Sequence, residues 1–142
     1  MEFNKENRPK VGIGVMVIKD GKVLLGKRKG SHGEGEYAWL GGHMEHMESF
    51  EECAQREVFE ETGMKIGNIK FLRLFNLKSY PPKHYVDLAF VAQWISGEAK
   101  VMEPEKCEEW DWYDMDNLPG PRFATVDSFI ESYKTGRDYW DA

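Results

Sequence analysis

Three glutamates, Glu57, Glu60 and Glu61, recur at i, i+3 and i+4 in the segment GGHMEHMESFEECAQREVFEETGM, residues 41–64. On a helix that spacing stacks three carboxylates on one face. Ser49 followed by Glu52 reads as a capping box, which predicts a helix starting near Phe50. Gly63 supplies the stop, because glycine accepts the left-handed conformation after a last helical turn. Phe50, Ala54 and Val58 form an apolar stripe at i, i+4, i+8, predicted to be buried. Glu57 and Glu61 border it.

Such crowding is unfavourable by itself. Like charges at i,i+4 cost roughly 0.2–0.5 kcal/mol. Acids at the negative end of the helix dipole cost roughly 0.3–1 kcal/mol each. A solvated acidic face is the bland reading of any glutamate run. Carboxylates crowded at a core edge instead call for a cation, and hard oxygen ligands select Mg²⁺ or Mn²⁺ over zinc. Such metals neutralise a diphosphate and activate a water for in-line attack.

The elements that must position this helix are legible in outline. Val11 to Ile18 is rich in β-branched residues, and Asp20-Gly21 reads as a hairpin turn into a second strand, Lys22 to Arg28. Gly30 to Gly35 reads as a loop. Tyr37 to Leu40 is extended and enters the Gly41-Gly42 turn. Phe71 to Leu77, Tyr85 to Trp94 and Glu109 to Asp114 read as strands, and Val126 to Tyr133 as a second helix. Strands flanked by two helices predict a mixed-sheet α/β/α sandwich.

The chain has 142 residues, which suits one domain over residues 1–142. Its net charge of −6 argues against a general nucleic-acid-polymer surface. The two cysteines, Cys53 and Cys107, have no metal-like spacing, and a reducing cytoplasm is the expected location. No apolar run approaches the ~18 residues of a membrane span. The N-terminus lacks the apolar stretch of a signal peptide.

Gly42, Glu48, Arg56, Glu57, Val58, Glu60, Glu61, Gly63 and Met64 together spell G-x5-E-x7-R-E-U-x-E-E-x-G-U, with U an apolar residue. Every fixed position is met, and on this box the chain is identified as resembling the Nudix hydrolases. The resemblance implies the Nudix α/β/α fold, a Mg²⁺ or Mn²⁺ cofactor and cleavage of a phosphoanhydride. It implies that Glu57 and Glu61 are the main metal ligands and Glu60 a further ligand or water-positioning acid. The Gly41 carbonyl falls where members offer a backbone ligand, and Arg56 and Glu48 match the pair tying loop to helix. A further glutamate from a distant loop is expected as base or ligand, and Glu103 and Glu105 are the candidates.

Outside the box, Leu24 to Ser31, Gly41 to His43, Phe50 to Glu57 and Met102 to Pro119 are similar to the subgroup holding the mammalian MutT homologue 2 and the plant cytosolic Nudix hydrolase. That similarity implies a homodimer hydrolysing nucleoside triphosphates, oxidised or modified guanine nucleotides among them, to monophosphate and pyrophosphate, as in nucleotide pool sanitation. The same chemistry suits a sugar nucleotide, dihydroneopterin triphosphate or a prenyl diphosphate, and a non-catalytic nucleotide-binding module is the remaining alternative. Two positions depart from the family: Leu40 replaces its usual proline and Met47 its usual glycine, so the Gly41 loop is expected to sit differently.

For the substrate, Trp39, Trp110 and Trp112 can stack on a base or fill the core. His43 matches a pocket histidine of the subgroup. Lys27, Arg28 and Lys29 read as a phosphate contact or a solvated strand edge.

Overall fold

The computed structural model describes residues 7–141. Strand β1 (Lys10–Lys19) is the organising element. Ile13, Val15 and Val17 point into one core while Met16 and Ile18 point into the other. Both faces are therefore buried, which is why its sequence is a near-continuous apolar run rather than an alternation. Asp20 (φ 51°) and Gly21 (φ 77°) turn the chain into β2 (Lys22–Arg28), with both central residues left-handed as a primed hairpin turn requires.

β2 stays beside β1 only at Ile18↔Val23 and Lys19↔Lys22. It then turns away to pair with β3 (Tyr37–Ala38), while its other edge pairs from Lys22 onward with β7 (Cys107–Asp114). The vacated edge of β1 is taken by β4 (Leu40–His43), antiparallel, with Ile13 opposite Gly42 and Gly12 opposite His43. The sheet forks here. On its other side β1 pairs parallel with β6 (Tyr85–Ser96), which pairs antiparallel with β5 (Lys65–Leu77), and β8 (Tyr139–Asp141) closes the edge parallel to β5. Helix α1 (Phe50–Thr62) covers one face through Cys53, Ala54 and Val58, and α2 (Val126–Thr135) covers the other through Val126 and Phe129. This is the expected α/β/α sandwich with a mixed sheet.

Four details differ from the sequence reading. Gly41 and Gly42, read as a turn, lie inside β4, paired with Gly14 and Ile13 of β1. Phe50, placed on the buried stripe, is 47% exposed, and Cys53 and Thr62 complete the buried face instead. Strand β5 begins at Lys65 rather than Phe71, with a register shift between Gly67 and Lys70. Asn68, with φ 48°, lies within that irregularity. Strand β8 was not expected at all.

Met47 stands in the loop before α1. That residue takes φ 62°, the left-handed conformation usually left to glycine, and its side chain is 86% exposed. The expectation that this loop would sit differently finds no support at Met47 itself. Leu40, the other departure, is fully buried and opposite Val15. Left-handed backbone costs a non-glycine residue roughly 1–2 kcal/mol, against roughly 0.5–1 kcal/mol of extra unfolded-state freedom for glycine. Met47→Gly is therefore expected to stabilise the chain by up to about 1 kcal/mol, read as a rise in the urea midpoint; a fall would show that Met47 makes compensating contacts.

Candidate active site

Helix α1 starts where the capping box predicts. Glu52 N–H donates to Ser49 Oγ at 3.1 Å and Ser49 N–H to Glu52 Oε1 at 2.9 Å. It ends at Gly63 with φ 80°, whose N–H donates to the Phe59 carbonyl. These two stops aim the glutamate face at β4. The approach is so close that a Cβ on Gly42 would lie 2.3–2.4 Å from the Glu57 carboxylate, so nothing larger than hydrogen fits there.

Arg56 organises the loop and the helix together. Its Nε and Nη2 grip Glu48 at 2.6 and 3.0 Å, a two-pronged pair. Nη2 also donates to the His43 carbonyl, and Nη1 donates to Glu57 at 2.8 Å and to Glu60 at 3.2 Å. The guanidinium and the Glu45 N–H hold the Glu48 carboxyl down at about 2. Burial, with Glu48 alongside, pushes the Cys53 thiol up to about 12, so it is an inert core thiol.

Glu57 and Glu61 behave differently. Burial raises Glu57 even with Arg56 beside it. Burial raises Glu61 well above the usual carboxylate range, and the charge of Glu57 adds to this. The Gly41 N–H, 3.1 Å from Glu61 Oε2, opposes it. Two half-buried carboxylates thus share one cleft wall with too little positive charge between them. A hard divalent cation fits this donor set. Among the described residues no three His, Cys, Asp or Glu side chains form a ready cage.

The wall belongs to a cleft of about 790 Å³ set in the fork of the sheet. Glu48 lies behind it, on Arg56. Glu57, Glu60, Glu61, Arg56, Gly41, His43, Trp39, Trp110, Arg28 and Glu105 all line the cleft. Glu60 is solvent-exposed and held by Arg56. Glu103 lines it too, and its charge bears on Glu57 and Glu61, whereas Glu105 is exposed farther along the same loop. Trp39 is only 7% exposed and packs against Phe129. Trp110 covers Gly26, and Trp112 packs on the α1-side core. Their indole faces serve the interior more than a free platform.

Arg28 is half-buried, 4.5 Å over the Phe123 ring, with its Nε donating to the His32 carbonyl at 2.9 Å. Lys83 and Lys106 add positive charge to the lining. An acidic protein therefore places cations along this cleft.

Sequence reasoning missed the far wall. His32, Tyr80, Tyr85 and Phe123 meet there, with Tyr80 and Phe123 stacked at 4.4 Å and His32 5.9 Å from Tyr85 at a 20° interplanar angle. Burial and the nearby Arg28 and Lys83 hold His32 down at about 4, so it is neutral at pH 7. The only signal was the Pro81-Pro82 and Leu118-Pro119 breakers, which mark the loops bringing these rings together but not their convergence.

The sequence model of the NUDIX domain matches residues 8–133, and the chain belongs to the Nudix hydrolase family. A MutT NUDIX hydrolase from Burkholderia pseudomallei superimposes with a TM-score of 0.83 at 30% identity, over 88% of this chain and 98% of that one. An NAD-capped RNA hydrolase NudC from Chromobacterium violaceum is 36% identical over 79% of this chain, which spans only 41% of that relative's length. An ADP-ribose pyrophosphatase from Methanocaldococcus jannaschii is 35% identical over 78% of this chain and 65% of its own. These relatives carry the family and do not single out the triphosphate diphosphatase subgroup.

A carboxyl raised on folding favours the native state below its unfolded value and loses that advantage as pH climbs toward the folded one. In the presence of a chelator, the melting temperature is expected to fall as pH rises above the ordinary glutamate range, and Glu61→Gln to flatten that fall. An unchanged slope in the variant would assign the pH dependence elsewhere.

Proposed function

We propose that the chain is a Mg²⁺- or Mn²⁺-dependent pyrophosphohydrolase that cleaves nucleoside triphosphates to the monophosphate and pyrophosphate. The observation that carries this is the pair of under-neutralised carboxylates, Glu57 and Glu61, fixed against Gly41 and Gly42 of β4 inside a cleft with cationic and aromatic walls. Glu57, Glu61, Glu60 and the Gly41 carbonyl would hold the cation. When bound it supplies charge neutralisation for the diphosphate and lowers the pKa of water.

The chain's own residues do the rest. Arg56 keeps Glu57 and Glu60 turned toward the cleft while anchoring the entry loop through Glu48 and His43. Glu103, within electrostatic reach of both main carboxylates, is assigned to take the proton of the attacking water. Water attacks one phosphorus of the α–β anhydride as its bridging P–O bond breaks, and the other fragment departs with the electron pair, so that the products are the nucleoside monophosphate and pyrophosphate. Arg28, Lys83 and Lys106 bind the phosphate chain, and the aromatic wall receives the base.

A second reading keeps the mechanism and changes the substrate to a diphosphate-linked nucleoside such as ADP-ribose, whose two fragments both leave as monophosphates. The relatives' names and a cleft of about 790 Å³, ample for two ring systems, favour it. Both are tested by turnover of a panel of nucleoside triphosphates, ADP-ribose, NAD and sugar nucleotides with Mg²⁺. Phosphate appearing only with added pyrophosphatase supports the first reading. Signal appearing only with a phosphatase acting on two monophosphates supports the second. Glu61→Gln is expected to lose roughly 100-fold or more in kcat while melting cooperatively; wild-type turnover in that variant would remove both readings.

A further inference from the structure

The far wall of the cleft is assembled from three segments that the chain order keeps apart. They are residues 29–36 between β2 and β3, residues 78–84 between β5 and β6, and residues 115–125 between β7 and α2. Phe123 supplies a ring to the lining, and its backbone hangs on β3. The Phe123 N–H donates to the Tyr37 carbonyl and the Tyr37 N–H to the Pro121 carbonyl, both at 2.8 Å. Gly33 lets the first segment close on that ring: a Cβ there would lie 2.6 Å from Phe123 Cδ1 and 2.8 Å from Glu36 Oε1. His32, from the same segment, stands 5.3 Å from Tyr80 and 5.7 Å from Phe123 between ring centres.

One hydroxyl joins all three segments. Tyr80 Oη donates to Glu36 Oε1 at 3.1 Å and accepts from the Ala124 N–H at 2.8 Å. Its ring lies nearly flat on Phe123, 4.4 Å between centres at 13°. Burial pushes the phenol up to about 12, so it keeps its proton near neutral pH and remains a donor to Glu36. Lys83 adds a second tie from the same segment, its Nζ donating to His32 Nδ1 at 2.9 Å. Neither Tyr80 nor Glu36 lines the cleft; they stand behind Phe123 and His32, which do. The phosphate side is anchored differently. Arg28 crosses the Phe123 ring, but it rises from β2 and its Nε is tied to the His32 carbonyl at 2.9 Å. The carboxylates stand on α1.

Taking from the reading above only that the aromatic wall receives the substrate's head group, we infer that Tyr80 is the positioning residue for that group, holding Phe123 and His32 in place against a planar ring without touching it. A wall that must order itself on binding gives up affinity for what it holds. Tyr80 therefore governs the ring end of the substrate and leaves the diphosphate end to Arg28 and α1.

The test is calorimetric binding to the intact chain, with Mg²⁺, of two probes. One is adenosine 5′-(α,β-methylene)triphosphate, which resists cleavage at the α–β bridge; the other is inorganic tripolyphosphate, which has no head group. Tyr80→Phe keeps the ring and removes the hydroxyl. It is expected to weaken the nucleotide analogue roughly 10-fold, the scale of one lost hydrogen bond to a charged group, and to leave tripolyphosphate within about twofold. Glu36→Ala is expected to match it, and the double variant to bind no more weakly than either single one, because both break the same bond. Glu36→Gln, which keeps an acceptor oxygen, is expected to restore most of the affinity. Should Tyr80→Phe not fold, the two Glu36 variants carry the same comparison. Equal losses for both probes, unchanged analogue binding, additive losses in the double variant, or no measurable binding of the analogue to the unaltered chain would overturn the assignment. A loss confined to the analogue, in a chain that turns over no nucleotide, would remove the hydrolase reading and leave this one standing.

Discussion

Helix α1 lies against β4 so closely that Gly42 faces the Glu57 carboxylate with no room for a side chain. Much of the site follows from that contact. Dense packing leaves the glutamates little water, and burial raises both Glu57 and Glu61. Repulsion between them would pry the helix from the strand if nothing opposed it. Arg56 opposes it from one side, bridging the Glu48 loop, the His43 carbonyl and two glutamates of the helix. The remaining negative charge is what makes the cleft receptive to a cation.

Charge is sorted by place rather than by total. The chain carries −6 overall, yet Arg28, Lys83 and Lys106 line the cleft beside the acidic wall. Each wall hangs on a different part of the fork: the carboxylates on α1 and β4, Arg28 on β2, and the aromatic rings on loops bordering β3, β6 and α2. Buried arginine–carboxylate pairs add little net stability, since desolvation offsets attraction, but removing one partner costs roughly 3–5 kcal/mol. Arg73 of β5 and Asp87 of β6 are such a pair, 3.0 Å apart, so their value to the molecule lies in a fixed geometry rather than in raw stability.

The acidic wall was fully legible in the sequence because it is local. Capping box, glutamate spacing and glycine stop lie within one short segment, where helix periodicity converts order into geometry. Most strands were legible for the same reason, through alternation and turn residues. What escaped depends on contacts between distant segments. His32, Tyr80 and Phe123 come from three loops and Tyr85 from the start of β6, and they carry no shared spacing. Arg73 reads as a solvent-facing strand residue until Asp87 and Ser128 are seen beside it. Strand β8 is three residues long and polar at one end, too little for any periodic signal. Phe50 was misplaced because stripe membership at the first helical position says nothing about whether a neighbour reaches that far.

The fork gives β1 an unusual responsibility. Ile13 faces the α1 side and Gly12 the α2 side, one residue apart on the same strand. Because side chains alternate, a one-residue slip in β1 would exchange the two faces along its whole length. The acidic wall and the wall beneath Gly12 would be lost together. The two halves of the cleft are thus inherited as one unit: point substitutions can retune either, but an insertion or deletion in this strand can spare neither.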